Sequence, residues 1–359
     1  FTDSCAPALV REMKAAGSDG VPAELWGVLA KTGIFGLGVP EEYGGEGASL
    51  YELGLVFQEA GRVLCPTIVY STLLFGIALG GLGTAAQKTE LLGLLASGDL
   101  KATMALWNPD DARDTQPYLT AERVDGGWNL TGTLLFVPNG SRADVLMVTA
   151  RAGASETSPT YGFLIKPGAD GWAAAEHTTI AGDKQSALVL EQYFVPEGSV
   201  ISGDDGVGIE DQLRWVGSAA VALGCMEMVG GATAVLERTV EYVKAREQFG
   251  RPLASFQAVQ HQVADVRIAI DGARLAATQA VWRVGRGEVA DRAVAVAKMH
   301  CGETYKLATF TAHQLHGGMG YVRETDLHLW SERAKVAELQ GGSADVAAHW
   351  LESDLGLAG

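Results

Sequence analysis

The sequence predicts an α+β protein with helical ends around a middle of antiparallel strands. Two changes of texture carry that prediction. Up to about residue 100, apolar residues recur at helical spacing; from about Lys101 they give way to short alternating runs between paired glycines; from Gly206 helical periodicity returns and persists. The expected domains are 1–100 (helical), 101–205 (antiparallel β, barrel or sandwich) and 206–359 (helical). The alanine-rich stretches Trp215–Val229, Ala258–Val284 and Ala293–Leu315 are expected as long helices packed in a bundle. A chain of 359 residues also exceeds one small core.

The totals narrow the function classes. The residues are 47% hydrophobic and 19% charged, which suits a globular chain with ample core. Net charge is −16, so extended nucleic-acid binding and anionic membrane surfaces are unfavourable, and an anionic ligand has to be met by local arginines. Cys5, Cys65, Cys225 and Cys301 are widely spaced without a CxxC pair, as expected of reduced core residues in a cytoplasmic protein with no metal site. No run is expected to approach the ~20 apolar residues of a membrane span, and no leader segment is evident.

In chain order, Leu25, Trp26, Leu29 and Ala30 form an apolar helical patch. Two glycine clusters follow, Gly33/Gly36/Gly38 and Gly44/Gly45/Gly47; such clusters can cradle phosphate, but no P-loop or strand–GxGxxG–helix context accompanies them. Ser49 and Glu52 have capping-box spacing for a helix running through Gly61. In the β region, Asp125-Gly126 and Asn139-Gly140 are hairpin-turn signals.

The most informative stretch is Glu241–Asp271. Val235, Leu236, Val240 and Val243 form an apolar stripe before a break, and Phe256, Val259, Val263, Val266 and Ile270 form another after it. At the break Gly250 can adopt positive φ and Pro252 stops a continuous helix. Arg246 and Arg251 flank Phe249 there. The residues alone fit either a solvated helix corner or a basic elbow offering guanidinium forks to phosphate.

Over essentially its whole length the chain resembles the acyl-CoA dehydrogenase flavoprotein family. The resemblance rests on Pro40, Glu41, Tyr43, Gly44, Gly45, Gly61 and Arg62, on the elbow Arg246–Gln257, and on Gln-Leu-His-Gly-Gly-Met-Gly at Gln314–Gly320. It implies an N-terminal α domain, a middle β domain and a C-terminal four-helix bundle, with FAD as cofactor at a subunit interface and an acyl-CoA thioester as substrate. It further implies FAD contacts from Arg246, Gln248, Phe249, Phe256, Gln257, Gln314, Gly317, Gly318 and Ser343. His316, inside the third motif, reads first as a hydrogen-bonded structural histidine.

The family reaction removes a proton from Cα while a hydride leaves Cβ, so it needs a carboxylate base. Aligned through Ala334-Lys335-Val336, the usual Glu position is Gly341, and the second known position falls at Ala220; neither carries an acid. Glu227 lies seven residues from Ala220, about 10.5 Å along a helix. Glu338 is the better substitute and Asp345 a poorer one. Pro138 replaces a flavin-facing threonine and has no donor to offer, and Leu106-Trp107-Asn108-Pro109-Asp110 replaces the usual flavin-facing loop. This pattern resembles the Glu-lacking subunit of α2β2 actinobacterial steroid side-chain dehydrogenases, which implies a second dehydrogenase subunit as partner. The alternatives are a homo-oligomer with a relocated base, a flavin monooxygenase or oxidase on the same fold, and a flavin-free scaffold.

Overall fold

The computed structural model describes residues 1, 4–15, 17–153, 155, 157–202 and 207–356. Five helices come first: α1 (Pro7–Lys14), α2 (Ala23–Lys31), α3 (Leu50–Arg62), α4 (Thr67–Leu82) and α5 (Ala85–Ser97). Eight strands follow: β1 (Ala102–Ala105), β2 (Leu119–Val124), β3 (Gly127–Pro138), β4 (Val145–Ala152), β5 (Thr160–Ile165), β6 (Trp172–His177), β7 (Gln185–Pro196) and β8 (Val200–Ile201). The chain closes with α6 (Glu210–Ala245), the short pair β9 (Glu247–Gln248) and β10 (Arg251–Pro252), then α7 (Gln257–Gly285), α8 (Asp291–His316), α9 (Leu327–Leu339) and α10 (Ala344–Asp354). The helical–β–helical order therefore holds. The expected boundary at 205/206 lies outside the described residues.

The contacts gather into two compact units. One comprises Arg11–Leu53 and Pro66–Ala220; the other comprises Phe1–Val10, Gly54–Cys65 and Val221–Gly359. In the first, strands run β6-β7-β3-β2-β4-β5-β8, with β1 also on β4. The sheet is mixed: β4 pairs parallel with both β1 and β2, where only antiparallel strands were expected. Its buried face centres on Leu119, Leu130, Leu146, Val148, Phe163 and Leu188.

Local chemistry explains several turns. The two residues Asp125 and Gly126 connect β2 to β3 as a hairpin, with Gly126 at φ +81°. Asn139-Gly140 does not make the second one, because β3 pairs with β2 and β7 instead of β4. Asn139 is buried, donating through Nδ2 to Ser71 Oγ (2.8 Å) and accepting at Oδ1 from Thr67 (3.3 Å). The glycine clusters near residue 40 also close on themselves: Glu46 N–H donates to Gly36, Gly47 to Val39 and Ala48 to Leu37. Those amides are spent on the protein, which removes the phosphate-cradle reading. At α3, Glu52 accepts from the Ser49 N–H (2.9 Å), one half of the expected capping box; the Ser49 hydroxyl turns to the Glu52 carboxylate and takes the Tyr51 N–H (3.2 Å) in place of that of Glu52.

In the second unit, α8 packs against α7, α9 and α10. Glycines bring α3 and α6 together: a Cβ at Gly61 would strike the Glu227 backbone, and one at Gly230 would strike that of Gln58. Contrary to expectation, α6 is long and apolar enough to cross a membrane, but 83% of its apolar window is buried inside the protein, as for a core helix.

Candidate functional site

The elbow forms where α6 ends. Arg246 N–H still donates to Tyr242 O (2.8 Å), and Leu253 N–H returns to Arg246 O (2.9 Å), closing a loop around β9 and β10. Gln248 faces Arg251 across this ladder, leaving Phe249 and Gly250 as a two-residue turn at φ +55° and +76°. Positive φ at both central residues is the I′ geometry favoured in tight hairpins. Glycine takes it freely, but for phenylalanine it costs about 1–2 kcal/mol. That strain presents the Phe249 side chain, which is 91% exposed.

Around it the chemistry is consistent. Phe256 caps α7 with its ring edge-on to Phe249 (6.1 Å, 84°), and the Arg251 guanidinium lies 4.1 Å over the Phe256 ring. Arg246, Gln248 and Gln257 are exposed. The Gln248 amide donates only to the Glu247 carbonyl (2.7 Å). Arg246 makes no side-chain hydrogen bond or ion pair with the described residues, so its fork is free for an anion.

At the end of α8, Gln314, Gly317 and Gly318 are exposed. Gly317 turns at φ +56°, and around it and Gly318 there is open space where a side chain would stand, so backbone can approach a ligand closely. His316 is buried. Its Nδ1 donates to Ala312 O (2.8 Å), its ring stacks on Tyr242 (4.1 Å, 20°), and its carbonyl accepts from the Tyr242 hydroxyl (3.3 Å). Burial pushes the imidazole below its ordinary pKa, which favours the neutral ring. Behind the stack lies an open cleft of about 460 Å³ lined by Glu237, Arg238, Glu241, Thr325 and Leu327. The stack thus brings the elbow and the Gln314 turn together.

The remaining predicted positions belong to other places. Ala220 is half-buried within α6. Gly341 and Gly342 are buried in the α9–α10 turn at φ +73° and +121°, and a Cβ at Gly342 would press on Trp350 and Val346. Lys298 Nζ, itself buried, donates to Ala337 O and Gln340 O (both 2.8 Å) and fixes the end of α9. Ser343 Oγ accepts from Val346 N–H (3.4 Å) and Ser343 O from Ala347 N–H (2.9 Å), so this hydroxyl serves the start of α10. Glu338 is buried against Gly302 with Lys335 Nζ on its carboxylate (2.6 Å). Glu227 is held by Arg333 (2.6 and 2.7 Å), each side chain only 11% exposed. Both acids are committed to ion pairs. Asp345 sits exposed in the first turn of α10. Among the described residues no His/Cys/Asp/Glu group could hold a metal, and all four cysteines are free and buried.

The stretch expected in place of a flavin-facing loop is closed within the β region. Residues 108–114 close on themselves, with Asn108 N–H to Asp114 O (2.9 Å) and Asn108 Nδ2 to Asp114 Oδ2 (3.2 Å). Pro138 offers only its carbonyl, which Thr103 occupies at 2.6 Å. Sequence reasoning missed Tyr242 and Lys298. Tyr242 was visible as the residue one turn before Arg246, and Lys298 as a lone cation directly after the apolar run Val294–Ala297.

The acyl-CoA dehydrogenase N-terminal domain family matches residues 1–99 and the C-terminal domain family matches 219–353. A variant of the Tcur3481-Tcur3483 steroid ACAD superposes with a TM-score of 0.88 at 30% identity, covering 99% of this chain and 94% of that one. The ChsE4-ChsE5 complex from Mycobacterium tuberculosis gives a TM-score of 0.88 at 28% identity, with the same coverage. Acryloyl-CoA reductase (NADH) of Anaerotignum propionicum is 28% identical over 339 residues, 90% of this chain and 84% of that protein. Fold and relatives define the class, an oxidoreductase acting on CH–CH donors. The chain belongs to the acyl-CoA dehydrogenase family.

Proposed function

We propose that this chain is the base-lacking subunit of an FAD-dependent acyl-CoA dehydrogenase, working in the cytoplasm with a second dehydrogenase subunit in an α2β2 assembly. One contrast carries the reading: the elbow offers a free Arg246 fork beside an outward Phe249, while the usual base position is the buried glycine 341. The residues present suit the pyrophosphate and adenine half of FAD. Arg246 would hold pyrophosphate bidentately, Phe249 and Phe256 would cover the adenine, and the Gly317-Gly318 backbone would approach without side-chain hindrance. FAD, when bound, supplies the acceptor for the hydride leaving Cβ of the acyl-CoA thioester. Nothing at Gly341 or Ala220 can take the Cα proton, and Glu227 and Glu338 are ion-paired. The proton therefore passes to a carboxylate of the partner subunit.

The helices also present a face for a partner. Ile268, Leu275 and Trp282 repeat every seven residues along α7 and are 53–72% exposed, with Leu307 and Phe310 exposed on the adjoining α8. Such a stripe marks an interaction surface on a folded protein. The similar Tcur3481-Tcur3483 enzyme is a steroid ACAD, which favours a bulky sterol-type acyl group.

The test is purification of the chain alone and with a candidate partner subunit. The lone chain is expected to hold little flavin and to leave acyl-CoA unchanged, and the pair to be yellow and active. Full flavin loading and turnover by the lone chain would overturn the proposal in favour of a homo-oligomeric enzyme.

A further inference from the structure

We infer that Tyr242 and His316 are positioning residues that hold the two halves of the candidate FAD clamp, the Arg246 elbow and the Gln314–Gly318 turn, at a fixed separation. The inference rests on the reading of the elbow as a flavin contact. Neither residue belongs to the motifs' exposed edge. Tyr242 sits one helical turn before Arg246 and accepts that residue's N–H, so it lies at the root of the elbow. His316 immediately precedes Gly317, whose N–H donates back to Gln314 O and His313 O.

Two contacts join these roots. The rings lie face to face at 4.1 Å, and the Tyr242 hydroxyl donates to the His316 carbonyl, the peptide oxygen that leads directly into Gly317. The His316 ring cannot turn freely, because its Nδ1–H is committed to Ala312 O on the preceding turn of α8. One end of the link is thereby anchored to α8 and the other to α6. Behind the pair is the open cleft, so little other packing on that side would take over if the stack were removed. Arg238, the arginine lining the cleft, is engaged elsewhere: it donates to Thr325 O (3.0 Å) and lies 4.6 Å over Trp330. A clamp that must present a guanidinium and a glycine backbone to the same ligand depends on such support.

The test measures FAD affinity of the partnered complex by flavin fluorescence, for Tyr242→Leu, Tyr242→Phe, Arg246→Ala and the Tyr242→Leu/Arg246→Ala double variant. Tyr242→Leu is expected to weaken FAD binding about three- to tenfold, the equivalent of one aromatic pair. Tyr242→Phe keeps the ring and should recover most of that loss. The double variant should lose clearly less than the product of the two single losses, since the stack acts in part through Arg246. His316→Leu removes the opposite ring and is judged by the same criterion if Tyr242→Leu does not fold. Wild-type affinity in a folded Tyr242→Leu or His316→Leu complex, or losses that multiply in the double variant, would overturn the inference. If Arg246→Ala itself binds FAD normally, the clamp reading falls and takes this inference with it.

Discussion

The elbow and the α9–α10 turn are both short connections between helices, both contain positive-φ residues, and they are built in opposite ways. At the elbow the strained residue is a phenylalanine whose ring is thrust into solvent, and the arginine beside it has no partner among the described residues. In the α9–α10 turn the positive-φ residues are glycines, buried and latched by the Lys298 amine, with Trp350 against them. Strain that is retained while its side chain points outward suits a ligand contact. A turn whose polar groups are satisfied inside the protein serves the fold. On the proposed reading the elbow stays open for the cofactor, and the turn at Gly341, where a base would be expected, serves the fold.

Breaking the closed turn should cost stability. Lys298→Met removes the donor from the buried Ala337 carbonyl and the part-buried Gln340 carbonyl, and we expect about 1–3 kcal/mol of destabilisation in a urea titration. Wild-type stability would show that the latch is dispensable. Gly341→Glu places a side chain at φ +73°, a backbone cost of about 1–2 kcal/mol before the carboxylate is desolvated. We expect a lower melting temperature, and no acyl-CoA dehydrogenation by the variant alone. Acquired turnover would show that the position is merely vacant.

A smaller effect separates the elbow's root from its tip. Burial holds His316 below its ordinary pKa, so the folded chain binds this proton less readily than the unfolded chain. Its contribution to stability is complete above about pH 6.5 and is lost as pH falls through the depressed folded value. Urea midpoints between about pH 7.5 and pH 5 should fall more steeply for the wild type than for His316→Gln. Equal slopes would mean that His316 does not carry the change.

Much of the elbow was legible because its signals are local: Gly250 and Pro252 break the helix where the stripes end, and the turn falls at Phe249-Gly250. Ser49/Glu52 and Asp125-Gly126 were legible for the same reason. Asn139-Gly140 misled because the ladder partner of β3 is chosen by distant residues, and Asn139 is held by Thr67 and Ser71, about seventy residues earlier. The parallel pairing of β4 with β1 and β2 was hidden likewise, since alternation reveals a strand without its neighbour. The ion pair of Glu227 with Arg333, 106 residues apart, joins α6 to α9 and has no sequence period. Spacing along the helix gave one reason to set Glu227 aside as a base, and the structure supplies a stronger one.

The role of the elbow is tested most directly by the flavin content of the purified two-subunit complex carrying Arg246→Ala in this chain. Because the guanidinium is exposed and engages no described residue, fold stability should change by no more than about 0.5 kcal/mol. A folded, assembled complex with much of its bound flavin absorbance gone is expected. A complex with full wild-type flavin content and affinity would contradict that role.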